Sequence, residues 1–368
     1  MKKFLIPLLA TLTTTPIAIN ADTGFSNEVN LKNKDLKTEW QIQGQTQGTG
    51  VPNSGGIGIF KPLAINEKNL WFLDSKLNAN FGDFDGSSII NTDVAGISLS
   101  TSSRIGYRWL NKDNSKIYGF NFGYDTRNMN TGDADNATVI NKKDVSFQQV
   151  AFSFETASEN LNTNSYALIP VGDVEKQLND TYQGGAMNTY GLDVGFEITD
   201  NLNSSIGYYY QYRDQEGIDG SGVKLSISYQ LSDDLNVGVN VSYDDAFDTR
   251  LNGNFKYEFG KINKKESRKS STISDAFTKS IPNREIRVHD SYIVDRCWKY
   301  QSDKINLGSS YKTETCSYYS TGYKSATQSE IIKTKAYTSC TKRLGAFNYI
   351  EEVKNAEVKY KYYCQTNN

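Results

Sequence analysis

From Trp71 to Phe259 the chain is a succession of short segments in which every second side chain is apolar. Leu73, Leu77, Ala79 and Phe81 share one parity, with Asp74, Lys76, Asn78 and Asn80 between them. Ala95, Ile97, Leu99, Ile105, Tyr107 and Trp109 form the next apolar set, opposite Ser98, Ser100, Arg104 and Arg108. Tyr118, Phe120, Phe122 and Tyr124 follow, then Val150, Phe152 and Phe154, then Tyr166 and Leu168 before Pro170. The cleanest run is 190–259, where five segments alternate: Tyr190 to Ile198, Leu202 to Tyr212, Val223 to Leu231, Leu235 to Tyr243 and Leu251 to Phe259. Side chains on a strand point alternately to opposite faces, so each segment has one oily and one wet side. Asp200-Asn201 and Ser232-Asp233-Asp234 are tight, turn-prone connections. The pattern predicts ten strands in an antiparallel up-and-down meander.

Connections at 82–92, 126–144 and 171–187 are long, and the others are short. Long loops at one end and tight turns at the other are the habit of an outer-membrane β-barrel, which has an even strand number. Aromatics at strand ends (Trp71, Tyr107, Trp109, Tyr208 to Tyr212) suit interfacial girdles. A watery lumen would tolerate the wet-face Arg104, Arg108, Asp193, Glu197 and Lys224. A soluble β-sandwich would show the same alternation, but with the aromatics meeting in a core.

Three features divide the remainder. Residues 1–21 begin with Lys2 and Lys3, continue through an apolar stretch and end at Ile19-Asn20-Ala21, as a secretory signal does. Residues 22–64 are polar and glycine-rich, and are expected to form a leader or plug-like loop. The run GTGVPNSGGIG lacks the Lys-Ser/Thr pair of a phosphate loop. At residue 261 the composition changes. The first 260 residues hold 20 Lys+Arg against 31 Asp+Glu, and the last 108 hold 20 against 11. All four cysteines, Cys297, Cys316, Cys340 and Cys364, lie in that basic tail, with 11 of the 24 tyrosines. The expected domains are therefore a barrel over 65–260 and a linker plus small β-rich domain over 261–368. An even cysteine number in an exported chain suggests two disulfides, with three pairings open.

Residues 57–260 resemble the translocator barrel of the inverse autotransporters, the intimin/invasin group. The resemblance rests on IFKPLAINEKNLWFLDSKLNANF at the start, RIGYRWL at 104–110, YGFNFGYD at 118–125 and the closing FKYEF at 255–259. It implies a barrel of twelve strands, two more than the alternation shows. It also implies that the barrel anchors a C-terminal passenger and helps it to the cell surface, an adhesin-type role. No peptidoglycan-binding module is evident before the barrel, nor a series of immunoglobulin-like repeats after it.

An even strand number returns the chain to the side it entered from. The tail after Phe259 then either stays there or threads back through the lumen. The basic stretch Lys261–Lys269 would suit a lumen with carboxylates, or a charged linker. The expected partners are outer-membrane lipid, the barrel assembly machinery and a surface ligand, glycan or protein, for the tail. Two other readings stay open: a porin-like channel with a periplasmic tail, and a soluble exported β protein. No catalytic, cofactor-binding or metal-ligating set is expected. His289 is the only histidine, and Asp133-Ala-Asp135-Asn136 has too few ligands at the right spacing for a calcium loop.

Overall fold

A computed structural model describes residues 37–84, 90–134, 139, 141–179, 182–213, 219–259 and 276–292 with their side chains, except that of Tyr292, and four tail strands by their backbone alone. In chain order the strands are β1 (Glu39–Gln45), β2 (Asn53–Ile65), β3 (Asn69–Phe81), β4 (Thr92–Ala95), β5 (Ile97–Leu110), β6 (Ile117–Ala134), β7 (Asp144–Ala157) and β8 (Leu161–Val171). They continue with β9 (Glu175–Gln177), β10 (Tyr182–Ala186), β11 (Asn188–Thr199), β12 (Leu202–Tyr212), β13 (Gly220–Gln230), β14 (Leu235–Asp244) and β15 (Asp248–Phe259). Beyond the barrel come β16 (Val288–Tyr292), β17 (Cys297–Lys304), β18 (Tyr311–Glu314), β19 (Asn348–Lys354) and β20 (Val358–Cys364).

β1, β2, β3, β5, β6, β7, β8 and β11 to β15 pair antiparallel with their sequence neighbours, and β1 pairs with β15 from Trp40 opposite Phe259 to Gln45 opposite Asn254. The sheet is thus a closed barrel of twelve strands, the fold of outer-membrane barrels. The alternation predicts well which side chains face outward and which inward. Leu251 is 68% exposed and Ile97 67%, whereas Arg104 and Arg108 are each 1% exposed. Such an inside-out distribution would be unstable in water but is what a lipid-facing wall around a polar lumen requires. Among the described barrel residues the aromatics do not meet between two stacked sheets, as the sandwich alternative demands.

Two expectations need correction. Residues 39–65 are not only a leader: they supply β1 and β2, the two strands missing from the count of ten. Their oily face is diluted by glycine. Gly44 and Gly55 stand opposite each other where larger side chains would mark the parity. A Cβ at Gly44 would lie 2.5 Å from the ring of Phe255, so that ring covers the glycine and completes the surface. The second correction concerns β8. Tyr166 and Leu168 face the lumen, 6% and 3% exposed, and Ser165 and Ala167 face outward. The Tyr166 ring lies over Gly191 of β11, which has no side chain to oppose it. Ala95 also leaves its expected segment: it closes β4, and Gly96 at φ 65° turns the chain into β5.

The barrel has two unlike ends. Connections of a few residues (66–68, 111–116, 158–160, 200–201 and 231–234) sit at one end, with the start of β1 and the end of β15. Near that end Trp71 and Tyr107 pack at 4.9 Å between ring centroids, and Tyr107 and Trp109 at 5.6 Å. The other end carries the longer connections, together with the tight turn 245–247, and there Tyr210 packs on Tyr212 at 5.9 Å. The two aromatic sets are the girdles expected from the strand ends. In the tail, β17 to β20 form a four-stranded antiparallel sheet in the order β18-β17-β20-β19. Residues 1–36, the proposed signal among them, and Lys261–Lys269 lie outside the described residues.

Candidate functional site: a lumen crossed by its own chain

Much of the lumen wall is polar, because it is the wet face of two-faced strands. On β3, β5, β6 and β7 its inward positions hold Asp74, Arg104, Arg108, Asp125, Gln149 and Glu155. Arg104 and Asp125 form a two-pronged pair at 2.6 and 2.8 Å, and Arg108 pairs with Glu155 at 2.6 Å. Both guanidiniums are buried, where a charge needs a partner to remain.

Residues 276–292 run through this lumen. At the short-turn end a helical turn places Phe277, with Ile281 just beyond, among Phe60, Leu70, Phe72, Leu110 and Ile117. Arg108 donates to the carbonyls of Phe277 at 2.5 Å and Lys279 at 2.8 Å while its guanidinium lies 4.5 Å above the Phe72 ring. The chain then extends. Pro282 suits that run, since it fixes an extended-compatible φ and needs no donor partner. Arg284 is the central clamp. Its guanidinium pairs with the Asp74 carboxylate and donates to the Ser102 hydroxyl at 3.2 Å. The Asp74 carboxylate also accepts from the Ser280 hydroxyl at 2.9 Å and the Ile281 amide at 2.8 Å. Gln149 closes a ring of contacts by donating both to Asp125 at 2.7 Å and to the Arg284 carbonyl at 2.9 Å. On the opposite wall Asn283 donates to Asp193 at 2.7 Å, and Lys224 reaches both residues.

At the long-loop end the same segment enters an apolar plug. Ile286 and Val288 pack with Ile90, Val94, Met129, Phe147, Leu178, Met187 and Phe247. Arg127 donates to the carbonyls of Gly50 and Ile286 at 2.5 and 2.7 Å. Gly50 has φ 65°, and a Cβ there would meet the Phe247 ring at 2.6 Å, so the close seal needs glycine. Finally β16 adds to β10, beside β9, in a three-stranded sheet. The segment thus reaches from Phe277, among residues of the short-turn end, to Val288, among residues of the long-loop end.

The strap leans on the β3–β7 wall. Along β8 and the β11–β15 wall it leaves a cavity of about 360 Å³, lined by residues such as Asn164, Asp193, Ser226, Asn240 and Asn252. Both polar atoms of the Asn164 amide are buried beside it without a hydrogen-bond partner among the described residues.

The alternation places the lumen charges Arg104, Arg108, Asp193 and Lys224 correctly, and the structure assembles them around the strap. It does not single out Asp74 as a clamp, nor Arg284, which carries no local signal in a basic tail. His289 sits in β16 at the mouth, 5.3 Å from the Phe247 ring, and burial pushes its imidazole below the ordinary value. Asp133 forms an ion pair with Lys142 at 2.7 Å, which occupies one oxygen of the weak calcium motif, and its hydrogen bond to Lys142 holds its carboxyl below the usual range. Asp135 and Asn136 lie outside the described residues, as do Cys316 and Cys340. No group of metal-ligating side chains is found among the described residues.

No protein-family profile and no curated protein matches the sequence. Solved structures do. The chain is similar to a membrane protein from a study of in-meso crystallization, with a TM-score of 0.50 at 9% identity over 70% of this chain and 100% of that one. It is also similar to an outer membrane channel from Pseudomonas putida F1, with a TM-score of 0.40 at 13% identity, covering 65% of this chain and 100% of that one. The translocator domain of the autotransporter NalP from Neisseria meningitidis matches with a TM-score of 0.35 at 13% identity, covering 63% of this chain and 91% of that one. At these identities the similarity concerns the fold, and the fold is that of an outer-membrane β-barrel.

Proposed function

We propose that this chain anchors its own C-terminal region in the outer membrane and delivers it to the cell surface, in the manner of an inverse autotransporter. One observation carries the reading: residues 276–292 cross the lumen from the short-turn end to the long-loop end. In outer-membrane barrels the short turns are periplasmic and the long loops external. On that orientation the tail beyond Tyr292 begins outside the cell. The segment is tied into the wall by named side chains of both partners, so the crossing is built in rather than incidental. The role is non-enzymatic: barrel lipid, the assembly machinery and a surface ligand, glycan or protein, are the partners this reading requires.

Protease shaving tests it. Intact cells treated with trypsin should lose the tail, which holds 12 Lys+Arg beyond Tyr292, while the barrel band remains. A tail that is cut only after the outer membrane is permeabilised overturns display. The second reading, a porin-like channel, draws support from the residual cavity beside the strap. A steady current through the full-length chain in a planar bilayer would favour it.

The delivered part would be a disulfide-stapled β module. The backbone register of the tail sheet sets Cys297 directly opposite Cys364. Facing residues of an antiparallel pair have Cα atoms about 4.5–5.5 Å apart, within the range that a disulfide spans. Of the three pairings, Cys297–Cys364 with Cys316–Cys340 is therefore expected. Peptide mapping of the secreted protein without reductant checks it, and a Cys297–Cys316 cross-link would refute it.

A further inference from the structure

The place where the strap leaves the barrel has a geometry of its own. β10 pairs with β16 from Tyr182 opposite Tyr292 to Ala186 opposite Val288. Ala186 adjoins β11, which descends into the barrel wall, so β10 is held at its barrel-proximal end. β16 runs the other way, with Val288 near the mouth and Tyr292 farthest from it. A pull on the tail therefore acts on β16 at its far end, while the wall holds β10 at its near end. Antiparallel strands loaded from opposite ends are sheared, and the ladder bonds bear the load together. Strands loaded from the same end would unzip one bond at a time.

Side chains fix the same joint from both flanks. Asp290, 1% exposed, accepts from the amides of Asn91 at 3.0 Å and Thr92 at 2.7 Å and from the Asn91 side chain at 3.0 Å. Arg213 is paired with Glu175 of β9 at 2.6 Å and donates to the His289 carbonyl at 3.2 Å and the Ser291 hydroxyl at 3.3 Å. The Met187 amide donates to the Arg287 carbonyl at 2.9 Å and the Val288 amide to the Gly50 carbonyl at 3.2 Å. Val288 itself is fully buried in the apolar plug. These contacts join the exit segment to four external connections: the one after β1, the one before β4, the β9–β10 hairpin and, through Arg213, the one after β12.

We infer that β16 on the β9–β10 hairpin is a force-bearing clasp, through which tension on a surface-bound tail passes into the barrel. The inference rests on the display reading above. It assigns the joint, rather than the lumenal clamp, as the first element to resist extraction. The mid-lumen segment is held through side chains of the wall, whereas the clasp combines a backbone ladder, a buried apolar residue and two charged bolts.

The test is single-molecule pulling on the full chain in proteoliposomes, with a handle at the C-terminus, for the native protein, Asp290→Ala and Arg213→Ala. Asp133→Asn, at the outer end of β6, where Asp133 pairs with Lys142 rather than with the exit segment, is the control. Heat-modifiable migration confirms that each barrel is folded. The expected result is a force peak, in the native chain and the control, that is lost in Asp290→Ala and Arg213→Ala. Equal peaks in all four proteins overturn the clasp. Labelling of the same handle on intact cells separates the two claims. A handle that labels from outside, with unchanged peaks, refutes the clasp alone. A handle that labels only after permeabilisation refutes display, and with it any load on the joint.

Discussion

A chain ending at Phe259 should conduct ions steadily, and the full-length protein should be nearly silent. The barrel does not depend on the tail, because all twelve wall strands and the closing pair of β1 with β15 lie before residue 260. The shortened protein should therefore keep its heat-modifiable migration. Its lumen loses the helical turn at Phe277, the extended run to Arg287 and the edge strand β16. The wall of Asp, Glu, Arg, Lys, Asn and Ser side chains is left bare, and water enters it freely. In a twelve-stranded barrel that space is wide enough to hold an extended polypeptide, so it is wide enough for hydrated ions. The apolar plug at the mouth also loses Ile286 and Val288, its two strap members. Planar-bilayer recording is the measurement. A shortened chain as quiet as the full-length one would show that the external connections seal the lumen without the strap, and that the strap is not what occupies the path.

The division between wall and strap also explains how much of the molecule is legible in the chain. Of the ten strands that can be read from alternation, all but β8 owe this to apolar residues at their outward positions. β1 and β2 cannot, because their outward Gly44 and Gly55 borrow their cover from Phe255 and Phe81 on neighbouring strands, and that is tertiary information. β8 is legible as a strand but with the wrong face outward. Tyr166 and Leu168 look like lipid-facing residues until Gly191 gives the tyrosine ring a place inside. The far end of β6 reads as loop because Thr126, Asn128 and Asn130 break the oily parity, although the strand continues to Ala134. The even strand number requires that the tail either stay or thread back. It cannot choose, since the choice is made by pairs more than two hundred residues apart, such as Asp74 with Arg284. A lone aspartate on a wet strand face and a lone arginine in a basic tail look alike whether or not they meet.

That pair carries the second large effect. Arg284→Ala should release the strap from the wall while leaving the barrel intact. Asp74 is fully buried, and of its carboxylate only one oxygen is engaged, by Arg284, Ser280 and the Ile281 amide. Removing the guanidinium leaves a buried carboxylate with neutral donors alone. Breaking one side of a buried ion pair costs about 3–5 kcal/mol, because the remaining charge is uncompensated. The Arg284 side chain also donates to the carbonyls of Ile281 at 2.8 Å and Asp74 at 3.1 Å, and those bonds go with it. Strap opening should become roughly a hundredfold to several thousandfold more frequent, taking about 1.4 kcal/mol as a factor of ten. Amide hydrogen exchange of residues 280–287 in micelles reads this directly, against unchanged protection in β11 to β15. The double variant Asp74→Leu with Arg284→Leu separates lost charge from lost contact. It leaves no unpaired charge, and apolar replacements of a buried pair are often neutral, so much of the protection should return. If Arg284→Ala exchanges like the native chain, the ion pair does not hold the strap. If the double variant is as open as the single one, the loss comes from the missing hydrogen bonds to the backbone and Ser102 rather than from a stranded carboxylate.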